Sequence, residues 1–172
     1  MKPLLSLAVC STALLLPLSA AVAQQADTTR LPSIVVTADR VSRPIATTTS
    51  SVTVLDGASL RAAGITHLVD ALRAVAGISV ARSGSPGAQS SLFVRGGESD
   101  YVRVLIDGVP MNDPGGAIDL GPITTDNLER IEIVRGPASV LYGSDAVTGV
   151  IQLFTRRNSE PLDARLSLRG GT

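Results

Sequence analysis

The stretch Ile131–Thr155, IEIVRGPASVLYGSDAVTGVIQLFT, constrains this chain more than any other. A β-rich run, Ile131–Val134, stops at Arg135-Gly136-Pro137, and a second, Val150–Thr155, follows Gly149. Between them lies a short helix-like piece ending at Gly143. Proline removes a backbone donor and glycine accepts φ > 0, so these residues set where the backbone must turn. Two strands joined by a helical turn therefore close the folded part of the sequence.

The first residues read as an export signal. Lys2 is a minimal positive region, Leu4–Leu16 is apolar, and Ala21-Val22-Ala23 fits a cleavage site, which predicts a signal over residues 1–23 and a mature start at Gln24. The apolar run is shorter than the roughly 20 residues of a spanning helix and is interrupted at Pro17, which argues against a membrane anchor. Cys10, the only cysteine, lies inside the signal and follows Val9 rather than a small residue, so neither a lipoprotein nor a mature disulfide is expected.

Lysine and arginine total 15, matched by 15 acidic residues, and Lys2 is the only lysine. Mature cations are therefore arginines, which suit bidentate pairing with carboxylates. The balanced charge leaves no basic face for nucleic acid. Phe93, Tyr101, Tyr142 and Phe154 are the only aromatic residues, so the core must be aliphatic.

Residues 24–49 read as a flexible N-terminus. It contains a β-prone island, Ser33–Ala38 (SIVVTA), and a linker at Arg40–Thr49. A first strand is predicted at Ser51–Leu55. Asp56 or Ser59 is predicted to cap a short helix ending at Gly64, and Thr66 a second one carrying Leu68, Leu72 and Val75, with Gly77 as its C′ residue. Further strands are expected at Ile78–Ala81, Leu92–Arg95 and Val102–Ile106. Asp107-Gly108 signals a hairpin whose return strand is Val109–Met111. Thr125 or Asp126 is predicted to cap a helical turn before Ile131. The expected fold is α+β: a small mixed β-sheet with short helices and two long loops, Ser83–Ser90 and Asn112–Gly121. Loops of that length in a compact domain tend to be functional.

Enzyme chemistry finds little purchase. His67 is the single histidine and sits on a predicted helix; no nucleophile, base and orienting group share a specific spacing. Gly136–Ser144 lacks the lysine of a phosphate loop. One histidine and no mature cysteine make zinc a poor prospect, and Asp100, Asp113 and Asp119 have no calcium-loop spacing. The chain is expected to be a non-enzyme without metal or cofactor.

Binding chemistry is better supplied. SIVVTA is either an edge strand of this domain or a tethered segment that adds itself to another protein's sheet. The two loops are either solvent-exposed connections or carriers of hydroxyls, an amide and backbone groups for a polar ligand. Arg95 and Arg135 each close an apolar β run before glycine, and a partly buried guanidinium needs a carboxylate. Glu98, Glu129 and Glu132 are local candidates, and another domain is the other source.

Four segments in order resemble the plug domain of TonB-dependent outer-membrane receptors, nearest its cobalamin-receptor type. SIVVTADR is similar to the TonB box, and Val69–Val80 (VDALRAVAGISV) to the plug helix and following strand. Leu92–Asp113 (LFVRGGESDYVRVLIDGVPMND) is similar to the central plug hairpin, and Ile131–Thr155 to the plug terminus. The resemblance implies a plug over residues 50–157 that sits in an outer-membrane barrel of about 22 strands, with residues 158–172 as the start of a truncated barrel. It implies that Ser33, Ile34, Val35, Val36, Thr37 and Ala38 pair with the TonB C-terminal domain in the periplasm. It implies apical loops in which Ser83, Ser85, Gln89, Ser90, Met111, Asn112, Asp113, Gly115 and Gly116 meet a small-molecule ligand, cobalamin or a siderophore-like metal chelate. Arg95 and Arg135 match plug arginines that meet barrel glutamates. Since the barrel is missing here, a stand-alone soluble periplasmic module that binds a ligand or a protein is the rival reading.

Overall fold

The computed structural model describes residues 34–35 and 41–157, all within one compact unit, Pro32–Thr172. The centre of that unit is a five-stranded sheet of order β3-β8-β9-β6-β7. Its strands are β3 (Ser51–Asp56), β6 (Val102–Ile106), β7 (Val109–Pro110), β8 (Leu128–Arg135) and β9 (Gly149–Thr155). All neighbours are antiparallel except β6 and β9, which run parallel with Val102 opposite Gly149 and Ile106 opposite Leu153. The sheet is thus mixed. A separate antiparallel pair joins β4 (Ile78–Arg82) to β5 (Ser90–Val94).

The two helices that follow β3 cover one sheet face. Asp56 caps α1 (Gly57–Ala62) by accepting the Ser59 amide at 2.8 Å, and Gly64, with φ +72°, turns the chain after it. In α2 (Leu68–Arg73) the buried residues Leu68, Val69, Ala71 and Leu72 form an apolar stripe. With Leu60, Leu92, Val94, Val102 and Val104 they pack on Ile131, Ile133, Ile151 and Leu153 of the central strands. Side chains alternate along a strand, so Val134 and Val150 face the other way. There they form a second, smaller cluster with Leu105 and Ala146, covered by Ile45, Ala138 and Tyr142. Burial on both faces explains why β9 is mostly apolar and why Ile131, Ile133 and Val134 are all buried in β8.

One charge lies inside this sheet. Glu132 on β8 is fully buried and accepts a 2.8 Å bond from Arg130 Nε. Arg130 also bonds Glu129 at 3.0 Å and lies 3.8 Å over the Phe154 ring. A buried carboxylate is tolerable only when partnered in this way.

Several boundaries differ from the sequence expectations, each for a local reason. His67, not Thr66, is the N-cap of α2, and it makes no side-chain cap bond. The start of α2 is pinned instead by Thr125, whose amide donates to Thr66 O and whose hydroxyl donates to Ile65 O. Thr125 therefore caps no helix; residues 125–128 form a turn closed by Leu128 N donating to Thr125 O. Gly77, at φ +80°, lies beyond the end of α2 and turns the chain into β4. The return strand is Val109–Pro110, although Met111 N still donates to Val104 O. Ser90 opens β5 rather than ending a loop.

The stretch expected to be a linker contains structure. Strand β1 (Ile34–Val35) pairs with β2 (Arg43–Pro44), and Ile45–Thr47 forms a 3-10 turn. The helix-like piece after Pro137 is the single turn α3 (Ser139–Tyr142).

Candidate functional site

The two long loops form one assembly. Asp119, in the second loop, holds both with one carboxylate oxygen: Oδ1 accepts the Ser90 amide at 3.0 Å and the Gly121 amide at 2.9 Å. Gly121 is buried and leaves no space between the loops, because a Cβ there would overlap Ala88 O and come within 2.8 Å of Gly87 O. Asn112 anchors the beginning of the second loop. Its Oδ1 accepts the Val104 amide at 2.8 Å, and its Nδ2 donates to Val102 O and Gly116 O at 2.9 and 2.7 Å.

These bonds divide the residues expected to meet a ligand. Ser83, Ser85, Gln89, Met111, Asp113 and Gly115 are exposed. Ser90 is buried, and its hydroxyl donates to Ala88 O. Gly116 is buried at φ +91°, with its Cα against the Asp100 backbone. Both amide protons of Asn112 are committed to backbone carbonyls. Ser90, Asn112 and Gly116 thus build the loops from within. Asp119 was missed as a loop organiser, although an Asp two residues before a Gly is a sequence signal for a side chain that caps its own turn.

Arg95 and Arg135 lie together at the opposite end of the β4–β5 pair, on either side of Gly77 and Gly136. A Cβ on Gly77 would sit 3.7 Å from Arg135 Cδ and 3.9 Å from Arg95 Cγ. A Cβ on Gly136 would sit 3.8 Å from Arg95 Nη1. Arg135 donates to Ala76 O and, at 2.7 Å, to Thr53 Oγ1, while its Nε is buried without a partner. Arg95 is exposed and adopts φ +53°. Neither arginine has an ion-pair partner among the described residues. Of the local carboxylates expected to serve them, Glu129 and Glu132 belong to Arg130. The two arginines line a cavity of about 480 Å³ together with Ser50, Ser51, Val140 and Leu141. Val140 is fully exposed on α3. The arrangement is two unneutralised cations beside an apolar knob, a surface suited to an acidic partner with apolar surroundings.

Of the six-residue island at the N-terminus, only Ile34 and Val35 fall within the described residues, where they face Pro44 and Arg43. Ser33, Val36, Thr37 and Ala38 lie outside them, as do the expected signal at 1–23 and the expected barrel start at 158–172.

Among the described residues no group of three or more His, Cys, Asp or Glu side chains can hold a metal ion. Two aspartates have lowered pKa values. Hydrogen bonds donated by Thr155, by its hydroxyl above all, hold Asp107 below the ordinary carboxylate value, and the Ser59 amide does the same for Asp56. Both tie element ends together: Asp107, in the β6–β7 turn at φ +48°, accepts the Thr155 amide at 3.0 Å and so fixes the end of β9.

Comparison with known proteins gives these features a setting. The family model for the TonB-dependent receptor plug domain matches residues 44–150. The vitamin B12 transporter BtuB of Vibrio vulnificus (strain CMCP6) is 37% identical over 171 residues, 99% of this chain, and the chain spans 28% of that transporter's length. The ferric yersiniabactin uptake receptor FyuA of Yersinia pestis superposes with a TM-score of 0.51 at 27% identity, covering 63% of this chain and 17% of FyuA. The ferripyoverdine receptor of the outer membrane of Pseudomonas aeruginosa shares the fold, with a TM-score of 0.63 at 20% identity over 74% of this chain and 17% of its own. These relatives are transporters and receptors, and they leave the stand-alone soluble module without support. A mixed sheet with few short helices, the family model and the near full-length identity agree: this chain belongs to the plug-domain family of TonB-dependent receptors.

Proposed function

We propose that this plug is the gate of an outer-membrane active transporter for cobalamin or a closely related metal chelate. One observation carries the reading: identity of 37% to a vitamin B12 transporter extends over 99% of the chain. In this reading the plug blocks a barrel of about 22 strands. The ligand meets Ser83, Ser85, Gln89, Met111, Asp113 and Gly115 on the exposed side of the two loops. Arg95 and Arg135 find their carboxylates on the barrel wall, and Val140 and Leu141 pack beside them. Ser33–Ala38 is the handle: the TonB C-terminal domain takes it as an added strand, with backbone hydrogen bonds supplying affinity. For that, Ile34 and Val35 first leave their two-residue pairing with Arg43–Pro44, a ladder short enough to exchange readily. Export of the chain rests on residues 1–23.

Uptake of radiolabelled cyanocobalamin tests this in cells that lack their own cobalamin receptor and express the receptor carrying this plug. Uptake and surface binding are both expected. Val36→Pro should abolish uptake and spare binding, because proline removes a ladder donor and restricts Val35 as well. Uptake that survives Val36→Pro refutes the handle. A siderophore as ligand is the second reading, favoured by the match to FyuA. Binding of a ferric siderophore with no binding of cyanocobalamin selects it.

A further inference from the structure

We propose that Asp119 is a positioning residue that fuses the two loops into a single recognition platform, so that the loops answer a ligand together rather than separately. The role of these loops in ligand binding rests on the function proposed above; the fusion itself does not. Three observations carry it. A single oxygen, Asp119 Oδ1, accepts one amide from each side of the junction, Ser90 N at 3.0 Å and Gly121 N at 2.9 Å. The junction has no slack, since Gly121 lies against the Ala88 and Gly87 carbonyls too closely for any side chain. Each loop also carries a further anchor of its own. The first is closed at its base, beside Ser90, by Ser83 N donating to Gln89 O at 3.1 Å. The second is fixed to β6 by the three bonds of Asn112.

A carboxylate oxygen accepting two backbone N–H groups is stronger than a neutral pair and has a preferred direction. The exposed groups Ser85 and Gln89 on one loop, and Met111 and Asp113 on the other, are then held at a fixed separation. A fixed separation saves the ordering cost that two independent loops would meet on binding. It also makes the distance between the loops part of the selectivity for ligand size.

Paired spin labels in the whole chain test the fusion without a ligand. Cys10 is the only native cysteine, so with Cys10→Ser the double substitution Ser85→Cys and Asp113→Cys reports the separation of the loops. One narrow distance distribution is expected. Asp119→Ala should add a second, longer component, and Asp119→Asn, which keeps an acceptor oxygen, should restore the narrow one. A control pair, Ala58→Cys with Val147→Cys, should not change. An unaltered distribution in Asp119→Ala overturns the fusion, and so does equal broadening of the control pair.

A second arm measures cyanocobalamin affinity in the full-length receptor. Asp119→Ala should weaken binding on the order of tenfold, the equivalent of one hydrogen bond to a charged group, with rescue by Asp119→Asn. Normal affinity despite separated loops overturns the platform role. If the unaltered receptor binds no cyanocobalamin, the cobalamin reading fails while the distance result still decides whether the loops are fused.

Discussion

Gly57→Ala should destabilise this domain although it places a good helix former at the first position of α1. A Cβ at Gly57 would overlap the Leu128 carbonyl oxygen and lie 2.8 Å from Glu129 O and 2.9 Å from Arg61 Nη1. Two of these three neighbours are backbone atoms of β8, a strand held by partners on both edges, which cannot yield. The helix must therefore lift from the sheet, and the 2.7 Å bond from Arg61 Nη1 to Leu128 O goes with it. Overpacking of this kind costs about 1–3 kcal/mol. Loss of a hydrogen bond made by a charged donor costs about 1.5–3 kcal/mol more. Alanine returns up to about 1 kcal/mol through helix propensity. The expected net loss is about 1.5–5 kcal/mol, read as a shift of the urea midpoint in circular dichroism at unchanged slope. In an Arg61→Ala background the bond is already absent, so the second substitution should cost only the steric part. The pair must then be less than additive by roughly the worth of that bond. A Gly57→Ala midpoint equal to that of the unaltered chain, or strict additivity with Arg61→Ala, refutes the close approach of α1 to β8.

Asp56→Ala should cost about 1 kcal/mol as a lost helix N-cap, measured by the same unfolding curves. Acid should loosen two junctions first. Asp56 and Asp107 have folded pKa values below 3.8, so the stability they contribute is fully present above that value. It is lost as pH falls through the lower folded values; the protection of the Thr155 amide, its deuterium exchange relative to the intrinsic rate at each pH, should then fall at low pH, and Asp107→Asn should remove this pH dependence. Leu72→Ala, at a fully buried position, should cost about 2–5 kcal/mol, whereas Val140→Ala, fully exposed, should leave the urea midpoint of the chain where it was.

The strands were readable because their chemistry is local. Val52 and Val54 alternate, Asp107-Gly108 signals a tight hairpin, and the runs around Ile133 and Ile151 are rich in the β-branched residues that favour strands. What escaped was whatever depends on partners distant in sequence. Thr125 reads as a helix cap, yet its hydroxyl goes to Ile65, 60 residues away. Asn112 reads as a ligand group, yet three backbone atoms surround its amide. Glu129 and Glu132, which lie near Arg135 in sequence, belong to Arg130 in space: Arg130 and Glu132 stand two residues apart on one face of β8, and Arg135 is out of phase with both. Asp119 carried a weak turn signal, but nothing in its neighbourhood announced Ser90 as the second donor.

The strand order β3-β8-β9-β6-β7 has a consequence for how the domain is made. Both early strands, β3 and β6, hydrogen-bond to a partner that is synthesised late. A chain delivered N-terminus first therefore holds half its sheet in waiting until Leu128–Thr155 arrives. During that interval β3 and β6 are unprotected apolar edges, the kind of surface on which nascent chains stick to one another. The five-stranded sheet closes only with its last pair of strands, and a ribosome that stalls before Leu128 leaves behind the β4–β5 and β6–β7 hairpins with nothing to join β3 to them.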